Sequence, residues 1–243
     1  MKDYIKIGVE KGYISFDQEM SRITYAHQNK SRSYSNPEEK VQAETFLRLI
    51  IDYKYPENRI KQFVSVPMGS DTKEADIVVY KDDMCLIPYI LVECKKQEVS
   101  EAEFQQAIGQ AYSYAFAMAG EVKYVWVTSG IKSDFFEVDQ TSNSRNQLPD
   151  IPQFGVSNVA SYKYVYEAEY LPEEAGKQRF FDLSVIDQSE LTRRFKQAHE
   201  ALWAGGQLNP SEAFDELEKR ICGRSWGERK PRRMGERYDF QII

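Results

Sequence analysis

Apolar side chains first recur at helical spacing over residues 36–55, at intervals of three and four positions. Asn36 is a suitable N-cap for this segment, and Pro37 fits the first helical position. Pro56 follows the last apolar residue and would end the helix. The pattern therefore predicts one amphipathic helix with a well-defined start.

Three strand-like runs come next, "RIKQFVSVPMG", "ADIVVY" and "CLIPYILVECK", separated by polar turns. Pro88 lies inside the third run and cannot donate a ladder hydrogen bond, so we expect either a bulge there or a strand that becomes central only after Pro88. A second helix is predicted from Ser100, with Glu103 completing a capping box and Gly120 as the stop. The strands "VKYVWVTSG" and "FFEVD" follow, before the predicted loop "QTSNSRNQLPDIPQFG".

The two ends of the chain have a different character. At the start, "YIKIGVE" and "GYISF" alternate and predict an edge hairpin, and "HQNKSRSYSNPEEK" predicts an exposed loop. After residue 185 the pattern predicts two helices split by a Gly-Gly turn, with Asn209 and Pro210 starting the second. We therefore expect an α/β domain over residues 1–185, with a mixed sheet flanked by helices, and a helical connector over residues 186–243.

Composition narrows the range of functions. The formal net charge of −6 argues weakly against DNA binding by the whole surface, but it leaves room for a local basic groove. Only two histidines are present, far apart in the sequence, so a histidine base or a histidine-rich zinc site has little support. Three cysteines without metal-ligand spacing suit a reducing compartment. With no signal peptide and no apolar run of membrane length, we expect a cytoplasmic protein.

Acidic residues stand at the ends of two neighbouring predicted strands. Asp76 opens one apolar run, and Glu93 closes the next, two residues before Lys95. Because side chains alternate along a strand, Glu93 and Lys95 share one face while Cys94 points to the other. Two carboxylates at close range repel each other, unless a divalent cation bridges them or one is protonated. The trio therefore indicates a site where water attacks phosphorus with the help of a metal ion.

Asp76 together with Glu93-Cys94-Lys95 resembles the motif of the PD-(D/E)xK nuclease superfamily, although Ala75 stands where the motif has its proline. The resemblance implies that Asp76 and Glu93 bind Mg²⁺, with Mn²⁺ as a substitute, helped by the backbone carbonyl of Cys94. It also implies that Lys95 assists the nucleophilic water. The expected fold is then a restriction-endonuclease-like mixed sheet.

In that superfamily, the helix before the strands often supplies a further acid. Glu39 is the first candidate for this metal ligand, with Glu38 and Glu44 as alternatives. Acidic residues in a first helical turn also interact favourably with the helix dipole, so a structural role for Glu39 stays open.

The helix predicted after the third strand carries a Q-x-x-x-Y pattern. Gln110 and Tyr114 form the pattern, and Gln106 precedes them by one turn on the same helical face. Such a helix after an E-x-K strand resembles the nuclease domain of type I restriction enzyme R subunits, as does the run "PEEKVQAETFL…ADIVVY…LVECKK". The resemblance covers roughly residues 36–130 and implies that the three side chains orient DNA. It also implies specificity and methyltransferase subunits or domains as partners.

The tail carries a second resemblance. "FKQAHEALWAGGQLNPSEAFDELEKRI" followed by "ERKPRRMGERYDFQI" is similar to the helical segment that opens N6-adenine DNA methyltransferase subunits of type I systems. This implies that the chain is the front of a longer polypeptide. A Walker-type phosphate loop and a methyltransferase catalytic motif are both absent from the sequence, so we expect no ATP or S-adenosylmethionine site. The expected function is a Mg²⁺-dependent DNA endonuclease domain; the alternative is a non-catalytic DNA-binding or subunit-docking module with the same fold.

Overall fold

The computed structural model divides the chain into two compact units, residues 2–159 and residues 160–243. The domain division predicted at residue 185, with a further module beyond it, stays a prediction. The residues that the structure describes are 3–120, 122–156, 159, 162–173, 176–183, 185–204 and 209–239.

The first unit begins with helix α1 (Tyr4–Glu10), a three-stranded antiparallel sheet of β1 (Ile14–Phe16), β2 (Arg22–Tyr25) and β3 (Lys30–Ser33), and helix α2 (Pro37–Ile51). The edge hairpin predicted for "YIKIGVE" is wrong, because Asp3 caps this segment as a helix by accepting a bond from the Lys6 amide. The predicted exposed loop is wrong in part, since β3 lies within it. Helix α2 starts as predicted, with Asn36 as its N-cap.

A six-stranded mixed sheet follows, with its strands in the order β4-β5-β6-β7-β8-β9. Only the β6–β7 pair within this sheet is parallel, and helix α3 makes the crossover between those two strands. The predicted capping box at the start of α3, Ser100 with Glu103, is confirmed. The elements are β4 (Ile60–Met68), β5 (Asp71–Tyr80), β6 (Pro88–Cys94), α3 (Glu101–Ala117), β7 (Tyr124–Thr128), β8 (Ser133–Asp139) and β9 (Ser144–Leu148).

Two apolar clusters fix the helices on the two faces of the mixed sheet. Ile77 and Val92 belong to the cluster under α2 and the three-stranded sheet, whereas Val78 and Leu91 belong to the cluster under α3. This alternation is the one that strand geometry dictates. The predicted fold class, an α/β mixed sheet flanked by helices, is confirmed. The bulge expected near Pro88 is also present, as a register shift between Val79 and Tyr80.

The second unit contains helices α4 (Gln188–Ala204) and α5 (Pro210–Glu228), which pack against each other. Asn209 caps α5 as predicted and forms a capping box with Glu212. The predicted Gly-Gly turn, residues 205–206, lies outside the described residues. Within the described part of the chain, none of the helices has both the length and the apolar character needed to span a lipid bilayer. The cytoplasmic location stays a prediction.

Candidate active site

Asp76 and Glu93 lie opposite each other across the β5–β6 pair. The register joins Ile77 to Val92, so Asp76 and Glu93 are the next facing positions. Facing residues of an antiparallel pair project to the same side, with Cβ atoms about 4.5–5.5 Å apart. The Cys94 amide donates a hydrogen bond of 2.6 Å to Asp76 Oδ2, which directs that carboxylate towards β6. The structure thus brings the two predicted acids together.

Glu93 is buried at the centre of a hydrogen-bond network that joins β6 to α3. Its Oε1 atom accepts one bond of 2.9 Å from Lys95 Nζ and another of 2.9 Å from Gln110 Nε2. Gln110 also donates to the Tyr114 hydroxyl at 2.8 Å. The second oxygen, Glu93 Oε2, is buried and has no hydrogen-bond partner among the described residues. A buried carboxylate oxygen without a donor is costly, and a cation is one group that would satisfy it.

The two acids and the lysine of the site all have pKa values raised above their ordinary values. Burial and the nearby Glu93 carboxylate raise the pKa of Asp76 well above its ordinary value, and the opposing effects of the Cys94 amide and Lys95 are smaller. Burial also raises the pKa of Glu93, against the lowering effect of Lys95. Burial alone would lower the pKa of Lys95, but the attraction of Glu93 and Asp76 outweighs it, and this pKa is raised. Lys95 is therefore a cation beside two acids that disfavour each other.

The acids of α2 are arranged differently from the first expectation. The Glu39 carboxylate is buried and accepts a hydrogen bond from the Tyr25 hydroxyl. Burial raises the pKa of Glu44, and the positive charge of Arg48 lowers it to a smaller extent. The charge of Glu38 is the one that acts on both strand acids and on the lysine of the site. Metal binding by Glu39 stays a prediction, and Glu38 is the first-turn acid whose charge reaches the site.

A cleft of about 440 Å³ opens beside this network. It is lined by the first turn of α2, by the residues just after β6 and by α3, and its polar lining includes Glu38, Lys95, Lys96, Gln106 and Gln110. Of the three predicted DNA-orienting residues, Gln106 is exposed along the cleft. The Tyr114 ring packs in the apolar cluster under α3, whereas its hydroxyl accepts the bond from Gln110 one helical turn earlier. The DNA-orienting role of the three residues stays a prediction.

Gln42 is a site residue that the sequence pattern did not reveal. It is buried on α2, and its Nε2 atom donates to the backbone carbonyl of Asp76 at 3.0 Å and to Gln62 Oε1 at 3.1 Å. The only signal in the sequence is an amide side chain next to Val41 on the apolar face of the predicted helix. Such a residue is buried only where it finds hydrogen-bond partners.

The donor set fits a hard cation with few protein ligands. Among the described residues, no three His, Cys, Asp or Glu side chains lie together in a way that would hold a metal ion. Mg²⁺ is commonly bound through one or two carboxylates plus waters and phosphate oxygens. The two facing carboxylates, Asp76 and Glu93, match that requirement, since Glu93 Oε2 finds no hydrogen-bond partner in the residues that the structure describes.

A mixed sheet with helices on both faces and two facing acids on adjacent strands is consistent with a restriction-endonuclease-like fold. Residues 37–152 match the family described as "Type I restriction enzyme R protein N terminus (HSDR_N)". The matched region contains the whole network around Glu93 and supports a nuclease-related N-terminal domain. Comparison with curated proteins and with solved structures gave no significant match.

The repulsion between the two acids predicts an unusual effect of Asp76→Asn on the metal-free protein. Because folding raises the pKa of Asp76, the folded protein loses stability as the pH rises above the pKa that this carboxyl has in the unfolded chain. We expect Asp76→Asn to raise the free energy of unfolding at pH 7 by about 1 kcal/mol or more, since asparagine still accepts the Cys94 amide bond. The gain should shrink as the pH falls through about 4, the ordinary pKa of an aspartate, because below that pH the carboxyl is protonated in both the folded and the unfolded state.

Urea denaturation in the presence of a chelator measures this effect. Asp71→Asn is the matched control on the same strand, because Asp71 is exposed, and its contacts with Lys73 and the Thr72 amide lie at the surface. That substitution should change the free energy of unfolding by less than about 0.5 kcal/mol. A loss of stability in Asp76→Asn at pH 7 would show that the carboxylate is well compensated without a cation.

Proposed function

We propose that the first unit is a Mg²⁺-dependent DNA endonuclease domain of the PD-(D/E)xK type, acting within a restriction–modification system. The observation that carries the proposal is the buried Glu93 carboxylate, which faces Asp76, binds Lys95 and has no partner for Oε2 within the described part of the chain. The family match over residues 37–152 supports DNA as the substrate. The reaction is hydrolysis of a phosphodiester bond.

Asp76, Glu93 and the backbone carbonyl of Cys94 would hold Mg²⁺, with Mn²⁺ as a substitute and with Glu38 as the further acid whose charge acts on both strand carboxyls. When bound, the cation would withdraw charge from the phosphate oxygens and acidify water. Lys95 is anchored through Glu93 Oε1 at 2.9 Å, so its ammonium group has a fixed position. It would orient the attacking water and offset the negative charge that develops at phosphorus. Attack of the water in line would form the new phosphorus–oxygen bond and break the bond to the 3′ oxygen. The attacking water would lose its proton to solvent, and the leaving 3′ oxygen would take up a proton from solvent.

The cleft side chains suggest how DNA would be held. Lys96 and Gln106 line the cleft and can reach a phosphate backbone. Gln110 and Tyr114 would act indirectly, by fixing the Glu93 carboxylate through hydrogen bonds. Specificity and methyltransferase subunits or domains would supply sequence recognition. Residues 186–243 would be the helical connector towards a downstream module, for which the resemblance of the tail suggests a methyltransferase.

One observation favours a second candidate function. The described residues include no group of three metal-binding side chains, and many catalytic metal sites have at least that number. The same fold would then serve as a DNA-binding or subunit-docking module without catalysis. In that case the Lys95–Glu93 ion pair would be purely structural.

Thermal unfolding with and without Mg²⁺ or Mn²⁺ distinguishes the two candidates. A ligand at 100 times its dissociation constant stabilises the folded state by about 2.7 kcal/mol, so we expect a clear rise in Tm for the wild type. Glu93→Gln should abolish that rise, because it removes the negative charge of the carboxylate that would bind the cation. Glu137→Gln, at a partly exposed position on β8, should retain it. No rise in the wild type, or an equal rise in Glu93→Gln, would favour the non-catalytic module.

A further inference from the structure

The β4–β5 ladder is interrupted at the position that carries Asp76. Gln62 pairs with Ile77 and Val64 pairs with Ala75, but the pair between them, Phe63 with Asp76, is missing. Phe63 has a φ of 55°, in the left-handed region that bulky residues rarely adopt. The backbone of this strand is therefore strained directly opposite the proposed metal ligand, and strain of this kind concentrates at functional sites.

Side chains from other elements replace the missing ladder bonds. Gln42 Nε2 donates to the Asp76 carbonyl at 3.0 Å. Lys30 Nζ donates to the Gln62 carbonyl at 2.9 Å and, more weakly, to the Phe63 carbonyl at 3.4 Å. The carbonyls of Phe63 and Asp76 are thus satisfied from α2 and β3, in agreement with the rule that buried backbone groups find partners.

The two strands also change faces at this point. Ile60 and Ile77 pack in the cluster under α2, whereas Val66 and Ala75 pack in the cluster under α3. In a regular strand Ala75 and Ile77 would share a face, because side chains alternate. The β4–β5 ribbon therefore turns over at Asp76. The direction of the Asp76 side chain depends on how its peptide group is held at the turning point.

We propose that Gln42 is a positioning residue for Asp76. By holding the Asp76 carbonyl, Gln42 fixes the peptide so that the carboxylate meets the Cys94 amide and faces Glu93. This inference rests on the proposed function, because the group it positions is a proposed metal ligand. Gln42 lies one helical turn after Glu38, so a single face of α2 carries both residues towards the site.

The Cys94 amide reports the position of the Asp76 carboxylate without any metal. In ¹⁵N-resolved NMR spectra of the full 243-residue chain, we expect Gln42→Met to move the Cys94 amide proton towards its position in Asp76→Ala. Methionine keeps the length of the side chain and removes the donor. Gln42→Glu, which replaces the donor with an acceptor, should move the Cys94 amide proton in the same direction. This variant provides the test if Gln42→Met fails to fold. An unmoved Cys94 amide in both variants would overturn the proposal.

Gln28→Met is the matched control. Gln28 also supports β4 through its side chain, but it bonds to the Ile60 carbonyl and the Gln62 amide rather than to Asp76. It should lower Tm without moving the Cys94 amide. A general loss of packing would move the resonance in both substitutions, and that result would also overturn the proposal.

Mn²⁺ titration of the same variants separates this inference from the proposed function. We expect Gln42→Met to weaken Mn²⁺ binding about tenfold or more, as loss of a group supporting a ligand commonly does, and Gln28→Met to leave it unchanged. Wild-type affinity in Gln42→Met would overturn the positioning role. If the wild type shows no Mn²⁺ binding that depends on Asp76, the proposed function fails instead, and the Cys94 amide still decides the role of Gln42.

Discussion

Asp76→Ala and Lys95→Ala are each expected to reduce cleavage of supercoiled plasmid DNA by about 100- to 1,000-fold, in reactions with Mg²⁺ or Mn²⁺. Asp76→Ala removes one of two facing carboxylates, so a cation would lose a ligand. Lys95→Ala removes the cation anchored on Glu93 Oε1, and with it the charge that would orient water and stabilise the transition state. Conversion of supercoiled to nicked plasmid measures both effects.

Lys123→Ala is the control for the loss of a lysine from the same sheet. Lys123 is partly exposed and pairs with Glu137, near the start of β7 rather than at the site. It should leave the cleavage rate within about twofold of wild type, since surface substitutions away from a site have small effects. Equal cleavage by wild type, Asp76→Ala and Lys95→Ala would contradict the catalytic assignment.

Trp126→Ala is expected to lower the free energy of unfolding of the first unit by about 3–5 kcal/mol. Trp126 is fully buried on β7. Its ring lies 5.6 Å from that of Tyr53 and 5.4 Å from that of Phe135, and the Arg48 guanidinium lies 5.2 Å from it. Alanine would leave a large cavity under α2 and take an aromatic face away from the half-buried Arg48 guanidinium. Urea denaturation followed by circular dichroism gives the measurement.

Two control substitutions test whether this loss of stability is specific to the buried aromatic ring of Trp126. Trp126→Phe should cost much less than alanine, because it keeps an aromatic ring and removes an indole N–H that has no partner among the described residues. Trp203→Ala, at a side chain 50% exposed on α4, should change stability by less than about 0.5 kcal/mol. A loss below about 1 kcal/mol in Trp126→Ala would contradict the central place of this side chain in the core.

The parts of the fold that carry strong local signals were predictable. Helix α3 has a complete capping box and regular apolar spacing, and β7 is a continuous apolar run. Strand β9 was missed, because "SRNQL" is polar and largely exposed and forms a strand only through its pairing with β8. Helix α1 was misassigned, because a short alternating segment fits either period and the Asp3 cap decides between them.

The part of the site that follows from strand geometry can be predicted from the sequence. The pairing of Asp76 with Glu93 follows from two strands and a turn, and Lys95 follows from alternation. The role of Gln42 depends on the packing of α2 over an interrupted strand, which no local pattern encodes. Which of Glu38 and Glu39 is the further acid of the site likewise depends on how α2 is rotated above the sheet. The Glu39 carboxylate is engaged by a hydrogen bond from the Tyr25 hydroxyl.

Diffraction from crystals soaked in Mn²⁺ tests the proposed metal site most directly, because the anomalous signal locates the cation without reference to activity. We predict one site bonded to Glu93 Oε2 and to the Asp76 carboxylate at about 2.1 Å, near the distances typical of Mg²⁺. The same peak should be missing from Asp76→Ala crystals. An empty site in wild-type crystals saturated with Mn²⁺, with Asp76 and Glu93 in their present positions, would contradict the assignment of these two acids as metal ligands.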